Sequence, residues 1–217
     1  MGYNWDPTTH YKDVAVAERY DRERFSSVAG RIFNALEKRC VRKGFAGLAG
    51  SAALLDVPCG TGRLAEALLE EGFAVTGVDI SQAMLEVASR KLERYGKRFQ
   101  HRVADVRDLA KAEPKSYEAA LCARVLMHFP LDQQIDFLRS VTKLAKRRVV
   151  FNQSLSTPYQ RWRRRLKRLL GHQPPAAYPI SEEELARLLA GAGLKEVGRV
   201  RPMALVSEAI FVIAEPV

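Results

Sequence analysis

The stretch LLDVPCGTG, residues Leu54 to Gly62, joins an apolar run to a tight turn with two glycines, and the helical pattern RLAEALLEE follows from Arg63. Asp56 ends the apolar run, and Gly60 and Gly62 lie in the turn. Glycine lets the backbone pass close to a bound molecule, and the N–H groups of a helix start can receive polar ligand atoms. The stretch therefore predicts a strand, a ligand-binding turn and a helix.

Apolar runs alternate with helical patterns along the rest of the chain, which is typical of an α/β fold with helices on both faces of a parallel sheet. We expect seven strands, near residues 53–57, 74–79, 99–104, 117–123, 148–152, 197–202 and 208–214. Helices are expected near residues 13–24, 26–42, 62–71, 81–95, 130–146 and 181–191. Ser181 and Glu184 form the S-x-x-E pattern of a capping box at the start of the last helix.

Two further acids lie at predicted strand ends. Asp79 ends the run AVTGVD, at the spacing after the turn where a carboxylate can accept hydrogen bonds from ribose hydroxyls. Asp105 follows the stretch FQHRVA. Ligands of open parallel sheets bind outside the carboxyl ends of the strands, so the acids predict a nucleoside-containing ligand. Both acids have a simpler interpretation, because aspartate also caps helices and bonds to the loop backbone.

The glycine spacing alone leaves the ligand open, since Gly60 to Ala65 also fits the dinucleotide fingerprint G-x-G-x-x-A of NAD-dependent oxidoreductases. With Asp56, Asp79 and Asp105 added, residues from about 54 to 152 resemble the class I S-adenosylmethionine-dependent methyltransferases, especially the small-molecule branch called type 11. The resemblance implies S-adenosylmethionine as the cofactor and a Rossmann-like, mostly parallel sheet with an antiparallel last strand. It also implies that Asp56 and the glycine turn hold the methionine part, that Asp79 binds the ribose and that Asp105 lies beside the adenine.

The resemblance extends to other residues expected at the cofactor. Ile80 and Val106 directly follow two of the acids, and Tyr20 resembles a tyrosine that relatives fold over the cofactor. Arg124 is expected to contact the methionine carboxylate. Pro58 stands where the family commonly has glycine, and its missing N–H means that the turn must bind without that donor. Plain helix packing is the alternative for Tyr20, and a surface salt bridge is the alternative for Arg124.

The substrate side of the crevice is expected to be formed by residues after the fourth and fifth strands. These are Arg124, His128, Asn152 and Gln153. His128 is the candidate proton acceptor for a hydroxyl or ammonium substrate, because its unperturbed pKa lies near neutrality. Its alternative is a packed histidine beside Met127 and Phe129.

A basic insert, residues 154–178, has six arginine or lysine residues and no acid, out of a net charge of +10 for the chain. On a helix Trp162, Leu166, Leu169 and Leu170 share one face, so residues 161–170 predict peripheral contact with an anionic membrane. We expect a small-molecule acceptor that is anionic, lipid-like or quinone-like. A lid helix packed on the domain and an RNA methyltransferase are alternatives, and the missing RNA-binding module makes nucleic acid a less favoured partner.

The length and composition predict one domain over residues 1–217. The resemblance implies that it is a methyltransferase domain with a helical cap over residues 1–45. The chain has no apolar run long enough to span a bilayer, and its start lacks the apolar core of a secretory signal. Its three cysteines form no C-x-x-C pair, so neither a metal site nor a disulfide is expected. A cytoplasmic location is the expectation.

Overall fold

The computed structural model describes residues 14–156, 162, 165, 169, 178–203 and 208–217, without the side chains of residues 14–16, 20 and 22. The helices are α1 (Val14–Phe25), α2 (Val28–Gly44), α3 (Arg63–Glu70), α4 (Gln82–Leu92), α5 (Val106–Ala112), α6 (Leu131–Leu144) and α7 (Glu182–Ala192). The strands are β1 (Ala53–Asp56), β2 (Ala74–Asp79), β3 (Phe99–Val103), β4 (Tyr117–Cys122), β5 (Ala145–Ser154), β6 (Leu194–Val200) and β7 (Ala209–Pro216). Short 3₁₀ turns cover Glu93–Arg98 and Leu126–His128.

The seven strands form one sheet in the order β3-β2-β1-β4-β5-β7-β6. Strands β1 to β5 pair in parallel, and β7 runs antiparallel to both β5 and β6. The predicted fold class, with its antiparallel last strand, is therefore confirmed. The strand order reverses between β1 and β4, and a crevice opens at such a switch point.

Both faces of the sheet are covered, because successive side chains of a strand point to opposite faces. Leu54 and Leu55 on β1 are both fully buried, yet they belong to different apolar clusters. Leu54 packs in the cluster that contains residues of α2, α3 and α4, and Leu55 packs with residues of α5, α6 and α7. This two-sided burial explains why β1 reads as an unbroken apolar run.

The capping box at the start of α7 is present as predicted. The Ser181 hydroxyl accepts a hydrogen bond from the N–H of Glu184 at 3.2 Å, and the Glu184 carboxylate accepts one from the N–H of Ser181 at 2.8 Å. Gly193 ends the helix in the left-handed conformation, with φ of 68°. Local sequence therefore sets both ends of this helix.

Several features of the fold differ from the sequence prediction, among them the start of β6 at Leu194 and not near residue 197. Strand β5 begins at Ala145, where α6 has just ended, and not near residue 148. Helix α5 was not predicted, since its seven residues VRDLAKA are too few to show a helical period. No described helix is both long and apolar enough to cross a membrane.

Candidate active site

A cavity of about 190 Å³ opens at the carboxyl ends of β1, β2 and β4, where the strand order reverses. Its wall includes nine of the predicted site residues: Asp56, Pro58, Gly60, Asp79, Ile80, Asp105, Val106, Arg124 and His128. Apolar side chains complete it, among them Met84, Val125, Phe129 and Phe137. The topology thus brings together residues that are up to 72 positions apart in sequence, from Asp56 to His128.

Gly60 has a φ of 55°, a conformation that glycine adopts without strain. A Cβ atom at this position would meet no described protein atom within 4 Å, so the space beside it is open. Gly62 differs from the prediction, because it is not part of the cavity wall and a Cβ there would lie 2.6 Å from Leu92 Cδ1. We conclude that Gly60 leaves room for a ligand and that Gly62 lets α3 pack against α4.

Asp79 is buried and bonds to the glycine turn. One carboxylate oxygen accepts a hydrogen bond from the N–H of Gly60 at 2.8 Å, and the other accepts one from the N–H of Ser81 at 2.9 Å. Burial raises the pKa of Asp79, and the backbone N–H groups oppose that rise. The capping role expected as an alternative belongs to Ser81, whose hydroxyl accepts from the N–H of Met84 at 3.2 Å.

Asp56 lies deeper, with 1% of its surface exposed. It is the last residue of β1, and the Val57–Pro58 peptide bond of the turn that follows is cis. Its Oδ2 atom has no hydrogen-bond partner among the described residues. The pKa of Asp56 is raised to about 8, chiefly by burial and also by the charge of Asp79, while a hydrogen bond from Cys59 opposes the rise. A buried carboxyl oxygen in the wall of a cavity is ready to accept a bond from a ligand.

Asp105 lies in the cavity wall and also caps a helix. Its side chain caps α5 by accepting from the N–H of Arg107 at 2.8 Å. The side chain is 39% exposed, in contrast to the buried Asp56 and Asp79. Val106, which is buried, follows it in the cavity wall. Asp105 is therefore the least enclosed of the three acids.

A buried ion cluster at the cavity wall was not predicted from the sequence. It is formed by Glu37, Arg63 and Arg124. Glu37 on α2 is fully buried and accepts a hydrogen bond from Arg63 at 2.7 Å and another from Arg124 at 3.1 Å. Arg63 also donates to Asn34 at 2.7 Å. Arg124 was expected at the cofactor or in a surface salt bridge, whereas its ion pair is with a buried carboxylate. We call these three charged residues the Glu37 cluster.

Arg124 has a left-handed backbone with φ of 63°, which is uncommon for a residue with a side chain. Its N–H donates to the side-chain oxygen of the buried Asn152. Gln153 is also buried and donates to Gln134 at 2.6 Å. Asn152 and Gln153 are not part of the cavity wall, so their expected place beside the substrate is corrected. They support the turn and the helix next to the cavity.

His128 lies in the cavity wall at the end of a 3₁₀ turn. Burial, together with the positive charges of Arg24 and Arg124, lowers its pKa to about 4. The imidazole is therefore neutral at pH 7, with a lone pair that can accept a proton or a hydrogen bond.

The N-terminal helix α1 is held against the glycine turn by a residue that the sequence analysis did not single out. Asp21 accepts hydrogen bonds from the Thr61 hydroxyl and from Lys91 on α4, both at 2.9 Å. The backbone of Tyr20 is in α1, but its side chain lies outside the described residues. The contacts of Asp21 place α1 beside the cavity, because Thr61 is part of the cavity wall.

The basic insert lies largely outside the described residues. Trp162, Arg165 and Leu169 are described, and all three are helical and exposed. The side chains of Trp162 and Leu169, on the predicted apolar face, are 61% and 78% exposed. Among the described residues, no group of three or more histidine, cysteine or acidic side chains is arranged to hold a metal ion.

Residues 54–148 match a protein-family model described as a methyltransferase domain. Among curated proteins, the chain is 37% identical over 93 residues to the ubiquinone biosynthesis O-methyltransferase of Nitrosospira multiformis. The aligned region covers 43% of this chain and 38% of that protein. The chain is 29% identical over 152 residues to the enzyme of the same name from Idiomarina loihiensis, covering 66% of this chain and 62% of that protein. The chain thus spans less than two thirds of the length of these relatives.

Solved structures share the whole fold. Magnesium protoporphyrin IX methyltransferase from Synechocystis with bound S-adenosylhomocysteine is 22% identical with a TM-score of 0.74, over 98% of this chain and 100% of that chain. The 1,6-didemethyltoxoflavin-N1-methyltransferase of Burkholderia thailandensis is 19% identical with a TM-score of 0.68, over 100% of this chain and 93% of that chain. The matched domain covers residues 54–148, and both solved structures share the fold, which is consistent with a class I S-adenosylmethionine-dependent methyltransferase.

Proposed function

We propose that this protein transfers the methyl group of S-adenosylmethionine to a small-molecule acceptor. The observation that carries the proposal is the convergence of Asp56, Asp79 and Asp105 with the Gly60 turn on one cavity. The family match over residues 54–148 supports the same activity. An NAD-dependent oxidoreductase, which the glycine spacing had left open, finds no support in these comparisons.

The three acids fit the three parts of the cofactor. Asp79 accepts two backbone bonds and keeps further lone pairs for the ribose hydroxyls. Asp56 offers its unpartnered oxygen to the ammonium of the methionine part, and its carboxylate favours a nearby positive charge. Asp105 and Val106 would border the adenine. When bound, S-adenosylmethionine supplies an electrophilic methyl group on a sulfonium.

The protein's own contribution to methyl transfer is alignment and exclusion of water, because the reaction is an in-line displacement. The apolar side chains of Val125, Phe129 and Phe137 keep water from the cavity wall. His128, neutral at pH 7, is the group proposed to accept the proton of a hydroxyl acceptor. Its lowered pKa makes it a weak base, so its main effect would be to orient the hydroxyl.

We further propose that the acceptor is a hydroxylated, quinone-like or amphiphilic compound. Two observations support this class. The curated relatives are named for ubiquinone biosynthesis, and the described part of the basic insert exposes Trp162 and Leu169 beside arginines. An apolar face flanked by positive charge suits an anionic membrane surface, where such acceptors partition. The same arginines are the one feature that favours RNA as the alternative acceptor.

A transfer assay with S-adenosylmethionine radiolabelled in its methyl group tests the proposal. The acceptor pools are catechol-type quinone precursors, phospholipid vesicles and total RNA. We expect label in the organic-extractable phenols and none in RNA, and none in any pool with Asp79→Asn. Label in RNA would overturn the acceptor class. An absence of label from every pool, together with no binding of S-adenosylhomocysteine, would overturn the activity.

A further inference from the structure

Glu37 is a fully buried acid on α2, outside the residues 54–148 that match the methyltransferase domain. It contacts two arginines of the cavity wall. A buried carboxylate costs desolvation free energy, which ion pairs of good geometry offset. Two guanidinium groups share this one carboxylate, so the Glu37 cluster has one net positive charge. That charge lies at the wall of the cavity, since both Arg63 and Arg124 line it.

The two arginines differ in their freedom to meet a ligand. Arg63 also donates to Asn34 and lies over the ring of Phe25 at 4.5 Å, and its side chain is 7% exposed. The Arg124 side chain is 24% exposed, and Arg124 follows the carboxyl end of the central strand β4. Its guanidinium is therefore the positive group of the cluster that a bound anion can reach.

The Arg124 guanidinium is restrained at both ends of the residue. Its backbone is held in the left-handed conformation by Asn152, and its Nη1 atom lies 3.1 Å and 3.4 Å from the two oxygens of Glu37. An arginine side chain has many rotamers, so a fixed carboxylate lowers the entropy lost when the guanidinium meets a second anion.

We propose that Glu37 is a positioning residue, whose buried carboxylate holds the Arg124 guanidinium where it binds the carboxylate of the methionine part of the cofactor. The inference rests on the proposed function, because it concerns the same cofactor. Glu37 itself does not touch the ligand and acts through Arg124. The mechanism makes recognition of the cofactor's carboxylate depend on helix α2.

The test compares S-adenosylmethionine with decarboxylated S-adenosylmethionine, which retains the adenosine, the sulfonium and the amine. Calorimetry on the full chain gives the ratio of the two dissociation constants. We expect wild-type protein to prefer S-adenosylmethionine by about tenfold or more, as a charge-assisted hydrogen bond would give. Glu37→Gln should bring the ratio close to one, with affinity for the decarboxylated compound changed by less than about twofold.

Glu66→Gln is the matched control. Glu66 also joins α2 to α3 through an ion pair, with Lys38 at 2.6 Å, but it does not line the cavity. If such ion pairs only stabilised the fold, removing one would lower the affinity for both compounds to the same extent. We expect Glu66→Gln to keep the wild-type preference, whatever it does to the melting temperature.

Arg124→Met keeps the proposal testable if Glu37→Gln fails to fold, because it leaves Glu37 paired with Arg63. It should abolish the preference, and adding Glu37→Gln to it should change the ratio by less than about twofold. The role of Glu37 would be overturned if Arg124→Met or Glu37→Gln kept the wild-type preference for S-adenosylmethionine. It would also be overturned if either variant lost affinity for both compounds equally. Wild-type protein that binds neither compound would instead overturn the proposed function.

Discussion

The side-chain oxygen of Asn152 accepts a hydrogen bond from the backbone N–H of Arg124, joining the end of β5 to the turn after β4. Asn152 is 1% exposed, and Arg124 needs the bond because its backbone is left-handed. Asn152 thus sets the position of a cavity residue without itself lining the cavity. Asparagine at a strand end can therefore act on the site through the backbone of a neighbouring turn.

Replacing Asn152 by alanine should lower both stability and cofactor affinity. The Arg124 N–H would lose its partner in a largely buried place, at a cost of about 1–3 kcal/mol in the free energy of unfolding. Urea unfolding and calorimetry with S-adenosylhomocysteine measure the two effects. Ser140→Ala removes an exposed side-chain bond to Asp136 and is the control with little effect on either. A stable Asn152→Ala protein with wild-type affinity would contradict this account.

Gly60 and Gly96 allow a matched test of the glycine turn. Both have positive φ, 55° and 54°, and at neither would a Cβ atom meet a described protein atom within 4 Å. Alanine at either position should cost at least about 1 kcal/mol of stability, because a positive φ strains a residue with a Cβ atom. Only Gly60→Ala should weaken S-adenosylhomocysteine binding, because only Gly60 lines the cavity. Equal binding by the two variants in calorimetry would show that the turn does not approach the ligand.

The three acids should contribute unequally to cofactor affinity. Asp79→Asn replaces one of the two buried oxygens that accept N–H bonds with an NH₂ donor, and we expect affinity to fall by about tenfold to a hundredfold. Asp105→Asn should cost less than about fivefold and leave stability unchanged, because asparagine caps a helix as well as aspartate does. Dissociation constants from calorimetry, with melting temperatures alongside, rank the two. An Asp105→Asn defect larger than that of Asp79→Asn would refute the ranking.

The raised pKa of Asp56 predicts that cofactor affinity depends on pH. Its pKa in the free protein is about 8, so it is largely protonated at pH 6. The positive charge of a bound cofactor favours the carboxylate, which lowers the pKa and releases a proton on binding. Affinity should therefore rise from pH 6 to pH 8, by at most about tenfold per pH unit, and level off above.

Calorimetry in two buffers of different ionisation enthalpy counts the released proton directly. Asp56→Asn is the control, since the ligand's own titration is the same for both proteins. The variant should lose the part of the pH dependence that belongs to Asp56. Identical proton release by variant and wild type would assign the pH dependence to other groups.

Fold prediction succeeded where a physical pattern is local. The strand end at Asp79 follows from an apolar run that stops at an acid, and it is correct to the residue. The first strand, predicted to end near residue 57, ends one residue earlier, at Asp56. The Glu37 cluster escaped because Glu37 and Arg124 are 87 residues apart and a glutamate on a helix normally faces solvent. Gly62 was misassigned because a glycine kept for helix packing and one kept for a ligand look alike in sequence.

The exposed apolar side chains of the insert predict binding to anionic vesicles. Trp162→Ala with Leu169→Ala should abolish flotation with vesicles that contain anionic lipid, since both side chains are largely exposed. Val197→Ala, at an exposed apolar residue of β6, should float as the wild type does. Vesicles without anionic lipid should recruit none of these proteins. Equal flotation with both kinds of vesicle would remove the membrane role of the insert.

The most direct test of the central claim is a calorimetric titration of the wild-type protein with S-adenosylhomocysteine and, separately, with NAD. We expect saturable binding of S-adenosylhomocysteine at one site, weakened by about tenfold to a hundredfold in Asp79→Asn, and no heat from NAD beyond dilution. Tight binding of NAD with none of S-adenosylhomocysteine would contradict it.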